Sequence, residues 1–170
     1  MEHTDHLNLL RPAGLPQGGT WADFGAGEGA FTLALRELTG PDAVIYAVDR
    51  DGAALRRLKR DYIARFGSPL RGAQGGADNL ILLPNDFSRP LDLPPLDGIV
   101  MANSLHYFRE KEGILRHVRG FLKPNGVLLL VDDEQARPRQ GREHGGARAD
   151  DDVALARQDR ANQGRDFRDW

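Results

Sequence analysis

Apolar positions along the chain fall into two alternating kinds, short unbroken runs bounded by turn residues and longer stretches with helical spacing. In TWADFGAGEGAF, residues 20 to 31, Trp21, Ala22 and Phe24 suit a short buried strand. The glycines that follow make a tight turn into a helix predicted over Glu28 to Leu38, with Phe31, Leu35 and Leu38 on one face. Gly40-Pro41 ends that helix, since glycine closes a last turn and proline cannot continue one. AVIYAVD, residues 43 to 49, is too apolar and β-branched for a surface strand and reads as one buried on both faces, the mark of a parallel sheet.

Asp51 to Phe66 predicts an amphipathic helix with Leu55, Leu58, Tyr62 and Phe66 inward, and residues 67 to 78 a glycine-rich mobile loop. A third strand in NLILL stops at Pro84-Asn85, and a proline-rich connector leads to a fourth over Gly98 to Ala102. Glu110 to Phe121 reads as a helix, Lys123 to Gly126 as a turn, and VLLLV, residues 127 to 131, as a fifth buried strand. Residues 2 to 10 predict a short helix with Leu7, Leu9 and Leu10 on its apolar side, lying over the ligand cleft or against the sheet edge. Five strands alternating with four helices predict an α/β fold, a parallel sheet with right-handed crossovers.

Composition narrows the picture. The 170 residues are 40% hydrophobic, enough for one domain with a sizeable core. A net charge of -2 gives no footprint for nucleic acid or an anionic membrane. With no cysteine, thiolate metal sites and cysteine nucleophiles are excluded, and no metal site is expected. The polar N-terminus lacks the apolar core of a signal peptide and no window approaches a membrane span, so a cytoplasmic protein is expected. Residues 132 to 170 hold eight arginines and eight aspartates, with Val153, Leu155, Phe167 and Trp170 as the large apolar groups. Such a segment cannot bury enough surface to offset chain entropy, so the domain is expected to span 1 to 131 and the polar tail to be disordered.

The chemistry concentrates at the ends of the strands. Gly25, Gly27 and Gly29 let a ligand lie directly on backbone, and Gly25-x-Gly27-x-x-Ala30 also fits the dinucleotide fingerprint of an NAD-dependent oxidoreductase. Asp23, two positions before the first glycine, separates the readings: it would repel a pyrophosphate but attract the ammonium and sulfonium of S-adenosylmethionine. Its plainer reading is a turn residue. Asp49 stands 24 residues beyond Gly25, where a βαβ unit places an acid for ribose hydroxyls, or where it would cap the next helix. Asp86 and Phe87 could bond an exocyclic amine and stack on a base, or form a turn with a core plug. Asn103 to Phe108 lie at the exit of the fourth strand, among them His106, with the pKa range of a general base unless it is a packing residue, and Tyr107, which could orient an acceptor.

Taken together, the Asp23-to-Gly29 loop, the acid at Asp49, Asn85-Asp86-Phe87, MANSLHYF and LKPNGVLLLV resemble the class I S-adenosylmethionine-dependent methyltransferases of the small-molecule type, over residues 18 to 131. The resemblance implies a Rossmann-like fold and methyl transfer to a small-molecule acceptor. Gly25 and Gly27 would touch the cofactor through backbone, Asp23 would lie near the methionine ammonium, Asp49 would bind ribose, Asp86 and Phe87 adenine, and Asn103 would lie near the methionine portion and the methyl. Ser104-Leu105-His106 follows Asn103 where many base and amide N-methyltransferases carry N-P-P-Y, which turns the expectation away from nucleic acid. Past Val131 the expected last helix and antiparallel strands are missing, which would leave the fifth strand's edge open to self-association. A truncated domain that binds cofactor or partner without turnover is the alternative from outside the enzyme class.

Overall fold

The structure, a computed structural model, describes residues 2–67 and 79–131, apart from the side chain of His106. Helix α1, His3–Leu10, precedes strand β1, Thr20–Phe24, which leads through the glycine turn into α2, Ala30–Thr39. Strand β2, Val44–Val48, is followed by α3, Gly52–Phe66, then β3, Leu80–Leu83, and β4, Leu96–Ala102. A 3-10 turn, Leu105–Tyr107, leads to α4, Lys111–Arg119, and β5, Leu122–Val131, closes the described chain. The five strands are parallel in the order β3-β2-β1-β4-β5, with β1 at the centre.

Alternation along β1 divides its side chains between two apolar layers. Trp21 joins Leu35 of α2 and Leu55, Leu58 and Tyr62 of α3 on one face, while Ala22 and Phe24 join Met101 and Val118 of α4 on the other. Trp21 stands in register with Gly98 of β4, and a Cβ there would collide with the indole ring. The glycine inside β4 is therefore the space that the tryptophan fills. Indole Nε1 donates to Gly18 O at 2.8 Å, which removes the cost of burying it.

Several boundaries differ from the sequence expectations. Helix α2 begins at Ala30 rather than Glu28, because Gly29 takes φ +88°, outside helical geometry. Helix α1 packs on α2, where His6 meets Phe31 edge to face, and its Leu7 and Leu10 join the core layer that includes Leu129 and Val131 of β5. Between β3 and β4 the proline-rich connector carries no helix, in keeping with the sequence. Lys123 to Gly126, expected as a free turn, belongs to β5: Leu122 pairs with Leu96, and the ladder resumes at Val127 opposite Gly98. The residues between form a bulge, where a proline costs no ladder bond. Lys123 Nζ holds it to Asp97 at 2.8 Å, and Asp97 also accepts from Thr20 N at 2.8 Å. The expectations for the loop at 68–78 and for the tail at 132–170, including the missing last strands and open edge, lie outside the described residues.

Candidate functional site

Chain order reverses across β1 and β4, so the carboxyl ends of β1, β2 and β4 open onto the crevice where open α/β sheets bind ligands. A cavity of about 400 Å³ occupies it, within the range of small-molecule sites. Gly25, Asp49, Asp86, Phe87, Asn103 and Tyr107 all line it, joined by Arg50, Ser104 and Phe108. Asp23 and Gly27 are not on its wall. The backbone of His106 lies in the 3-10 turn beside Tyr107.

The glycine turn is built by its own hydrogen bonds. The amides of Gly25 and Ala26 both donate to Val48 O, at 2.9 and 3.1 Å, and Gly29 N donates to Ala26 O at 2.8 Å. Gly27 N donates to Asp49 Oδ2 at 2.8 Å, and Asp51 N donates to Asp49 Oδ1 at 2.8 Å. Asp49 thus braces two loops across the cleft mouth. It is not the cap of α3: Asp51 caps it, accepting from Ala53 N and Ala54 N. Gly25 takes φ +84°, and a Cβ there would stand 2.7 Å from that of Ser104. That position is open only to glycine.

Asp23 shares the face of β1 that carries Trp21, and so points beneath α2 instead of into the cavity. It is 1% exposed, and its carboxylate accepts from Thr32 Oγ1 at 2.6 Å and from the Thr32 amide. Gly29 supplies no side chain to cap α2, and Asp23 does so from the strand below. Burial pushes its pKa up to about 6, with the charge of Asp49 adding and the Thr32 hydrogen bonds opposing.

Asp86 and Phe87 form the turn and core plug that were one of the two alternatives expected of them, and both line the cavity. Asp86 Oδ1 accepts from Ser88 Oγ at 2.6 Å and Ser88 N at 2.9 Å, forming the turn, and the Ser88 hydroxyl holds its pKa below the usual range. Arg50 Nη1 lies 3.8 Å from the other oxygen. Phe87 stacks on Phe24 with centroids 5.4 Å apart and meets Phe108 edge to face, plugging the core while lining the cavity. Asn103 takes φ +50°, a conformation asparagine tolerates, and its N–H donates to Val131 O at 2.8 Å. Tyr107 is 75% exposed at the rim. Arg50 and Ser104, which sequence reasoning did not single out, each directly follow a residue that it did, and position just past a strand's carboxyl end is the signal that finds them.

The wall offers carboxylates and aromatic rings beside the Arg50, Asn85, Asn103, Ser104 and Tyr107 side chains, while the amides of Gly25, Ala26, Gly27 and Gly29 are spent on protein oxygens. Among the described residues there is no cluster able to hold a metal ion, and no helix is long and apolar enough to cross a membrane.

Comparison with known proteins places this geometry. A family model described as "Methyltransferase domain" matches residues 22–128. The chain is 34% identical over 111 residues to ribosomal RNA small subunit methyltransferase H of Trichlorobacter lovleyi, covering 62% of this chain and 35% of that protein. It is also 34% identical over 113 residues to mouse acetylserotonin O-methyltransferase, covering 65% and 27%. The match thus spans about a third of the length of these relatives. Among solved structures, coclaurine N-methyltransferase bound to N-methylheliamine and SAH superposes with a TM-score of 0.62 at 18% identity, over 75% of this chain and 35% of that one. The likeness extends the assignment of the fold.

Proposed function

Since the chain belongs to the methyltransferase-domain family, we propose that it binds S-adenosylmethionine and transfers the methyl group to a small-molecule acceptor, in the cytoplasm. The observation that carries this reading is the state of the glycine loop. The amides of Gly25, Ala26, Gly27 and Gly29 donate to protein oxygens, and the Thr32 amide at the start of α2 donates to Asp23. A pyrophosphate needs those donors and an uncompensated helix N-terminus. A cationic, phosphate-free nucleoside needs acceptors, which Asp49, Asp86 and the strand-end carbonyls provide.

Bound there, the cofactor supplies a sulfonium methyl to an acceptor lone pair and departs as a neutral thioether. The chain's part is positioning and exclusion of water. Asp49 holds the ribose, Asp86 and Phe87 hold the adenine, and Asn103, fixed by its bond to Val131, borders the methyl. Asp23 acts on the ammonium from beneath the loop as a buried charge. Tyr107 at the rim orients the acceptor, and His106 takes its proton where it has one. The relatives named for acetylserotonin and coclaurine support a small acceptor, as does the net charge of -2, which does not attract RNA.

Calorimetric titration of the full chain with S-adenosylhomocysteine, NAD and buffer tests the reading. Saturable heat with S-adenosylhomocysteine and none with NAD is expected. Binding of NAD alone would reassign the loop to a dinucleotide.

A further inference from the structure

Glu28 stands at the tip of the glycine turn between Gly27 and Gly29, which take φ +52° and +88°. Glycines lose the most conformational freedom when a loop is fixed, so a tip built on them has to be held. Packing holds one end of it. A Cβ on Gly29 would collide with Leu58 of α3, so the turn lies directly on that helix. A Cβ at Gly27, by contrast, would meet no atom within 4 Å, and the tip is fastened there by polar contacts.

Two side chains supply those contacts. Asp49 accepts from the Gly27 amide and also lines the cavity, so its carboxylate is shared between the loop and whatever fills the cleft. Arg57, next to Leu58 on α3, reaches the tip from outside the cavity: its Nε donates to Glu28 Oε1 at 2.8 Å, and its Nη2 lies 3.8 Å from Asp51 Oδ2. Asp51 caps α3 through its other oxygen and donates its amide to Asp49. The guanidinium therefore closes a ring through Gly27, Asp49, Asp51, Arg57 and Glu28, which ties the loop after β1 to the loop after β2. Neither Arg57 nor Glu28 lines the cavity, so this pair serves the loop alone.

Resting on the cofactor reading above, we propose that Arg57 is a positioning residue for that site: without touching the cofactor, it fastens the tip of the glycine turn to α3 and pre-sets the backbone on which the cofactor lies. Binding then does not have to order the tip, and the ordering cost avoided appears as affinity. The effect is modest, because side chains 40% and 67% exposed are screened by water and salt.

Calorimetry on the full chain with S-adenosylhomocysteine tests this, using Arg57→Met, which keeps the length and apolar stem, and Glu28→Gln. Each should bind about three- to fivefold more weakly than the parent at low salt, the upper part of the range for an exposed ion pair. The double variant should lose no more than Arg57→Met alone, because both changes remove the same fastening. Arg57→Lys, a point charge in place of the fork, should fall between the parent and Arg57→Met. S-adenosylhomocysteine carries no net charge near neutral pH, so salt acts chiefly through the ion pair. Near 1 M salt, where the Debye length is about 3 Å, the parent's advantage should shrink to less than about 1.5-fold. A merely structural arginine would move the melting temperature and not this salt-dependent ratio of affinities. Affinity equal to the parent's in either single variant overturns the proposal, and Glu28→Gln, at an exposed position, serves should Arg57→Met not fold. A loss that persists at high salt, or losses that add in the double variant, overturn it as well. A parent that binds no S-adenosylhomocysteine overturns the cofactor reading itself, and this inference with it.

Discussion

Asp23 Oδ2 accepts from Thr32 Oγ1 at 2.6 Å across the glycine turn, so the acid on β1 is tied to the first turn of α2. Its pKa is raised from 3.8 to about 6, chiefly by burial. Between those values the folded chain keeps a proton that the unfolded chain has released, so Asp23 opposes folding increasingly as pH rises through the window. The opposition is complete above about pH 6, where a shift of this size corresponds to roughly 3 kcal/mol. Asp23→Asn, whose amide oxygen can still accept from Thr32, should therefore melt higher than the parent at pH 7.5. Its advantage should shrink toward pH 4. Thermal melts of both proteins across that range check the prediction, and a constant difference would contradict the raised pKa.

Asp49 receives the Gly27 and Asp51 amides on separate oxygens, which presents its remaining lone pairs at the cavity wall. Asp49→Ala should weaken S-adenosylhomocysteine binding by about 10- to 100-fold, the range for a charged hydrogen bond. Asp49→Asn, which keeps one acceptor, should lose less. If Asp49→Ala binds like the parent in calorimetry, Asp49 only braces the loops.

These two acids mark how far the sequence could be read. The spacing of Asp23, the glycines and Asp49 located the cleft, because an acid–glycine pattern at a strand end has few structural explanations. Spacing gives distance along the chain, not direction. That Asp23 points under α2 follows from its sharing a face with Trp21, and which face α2 covers is decided by tertiary packing. Lys123 to Gly126 read as a turn from composition alone, since the pairing of Leu122 with Leu96 that brings it into β5 depends on residues far away in sequence. Ser104 had only its place just past the fourth strand to mark it. A serine in a polar loop is unremarked until its surroundings show that it is buried without a partner.

Gly25 and Gly27 both take positive φ, yet substitution should separate them. A Cβ at Gly25 would meet Ser104 at 2.7 Å, whereas one at Gly27 would have no atom within 4 Å. Gly27→Ala should cost about 1 kcal/mol, the left-handed strain alone. Gly25→Ala adds overlap to that strain and should cost more, with loss of S-adenosylhomocysteine binding. Urea unfolding ranks the two variants, and equal destabilisation would mean that the Gly25–Ser104 approach is not tight.

Acceptor chemistry gives the last prediction. Tyr107 stands at the cavity rim, the backbone of His106 shares its 3-10 turn, and the proposed function puts the acceptor on this side. His106→Gln should lower turnover on a phenol or amine acceptor at neutral pH and leave S-adenosylhomocysteine affinity nearly unchanged. Tyr107→Ala should raise KM for the acceptor more than it lowers kcat, because a rim side chain that orients the acceptor contributes to binding. Release of S-adenosylhomocysteine across a panel of phenols and amines measures all of these. Equal turnover in His106→Gln would return His106 to a packing role, and the proton would then leave to water.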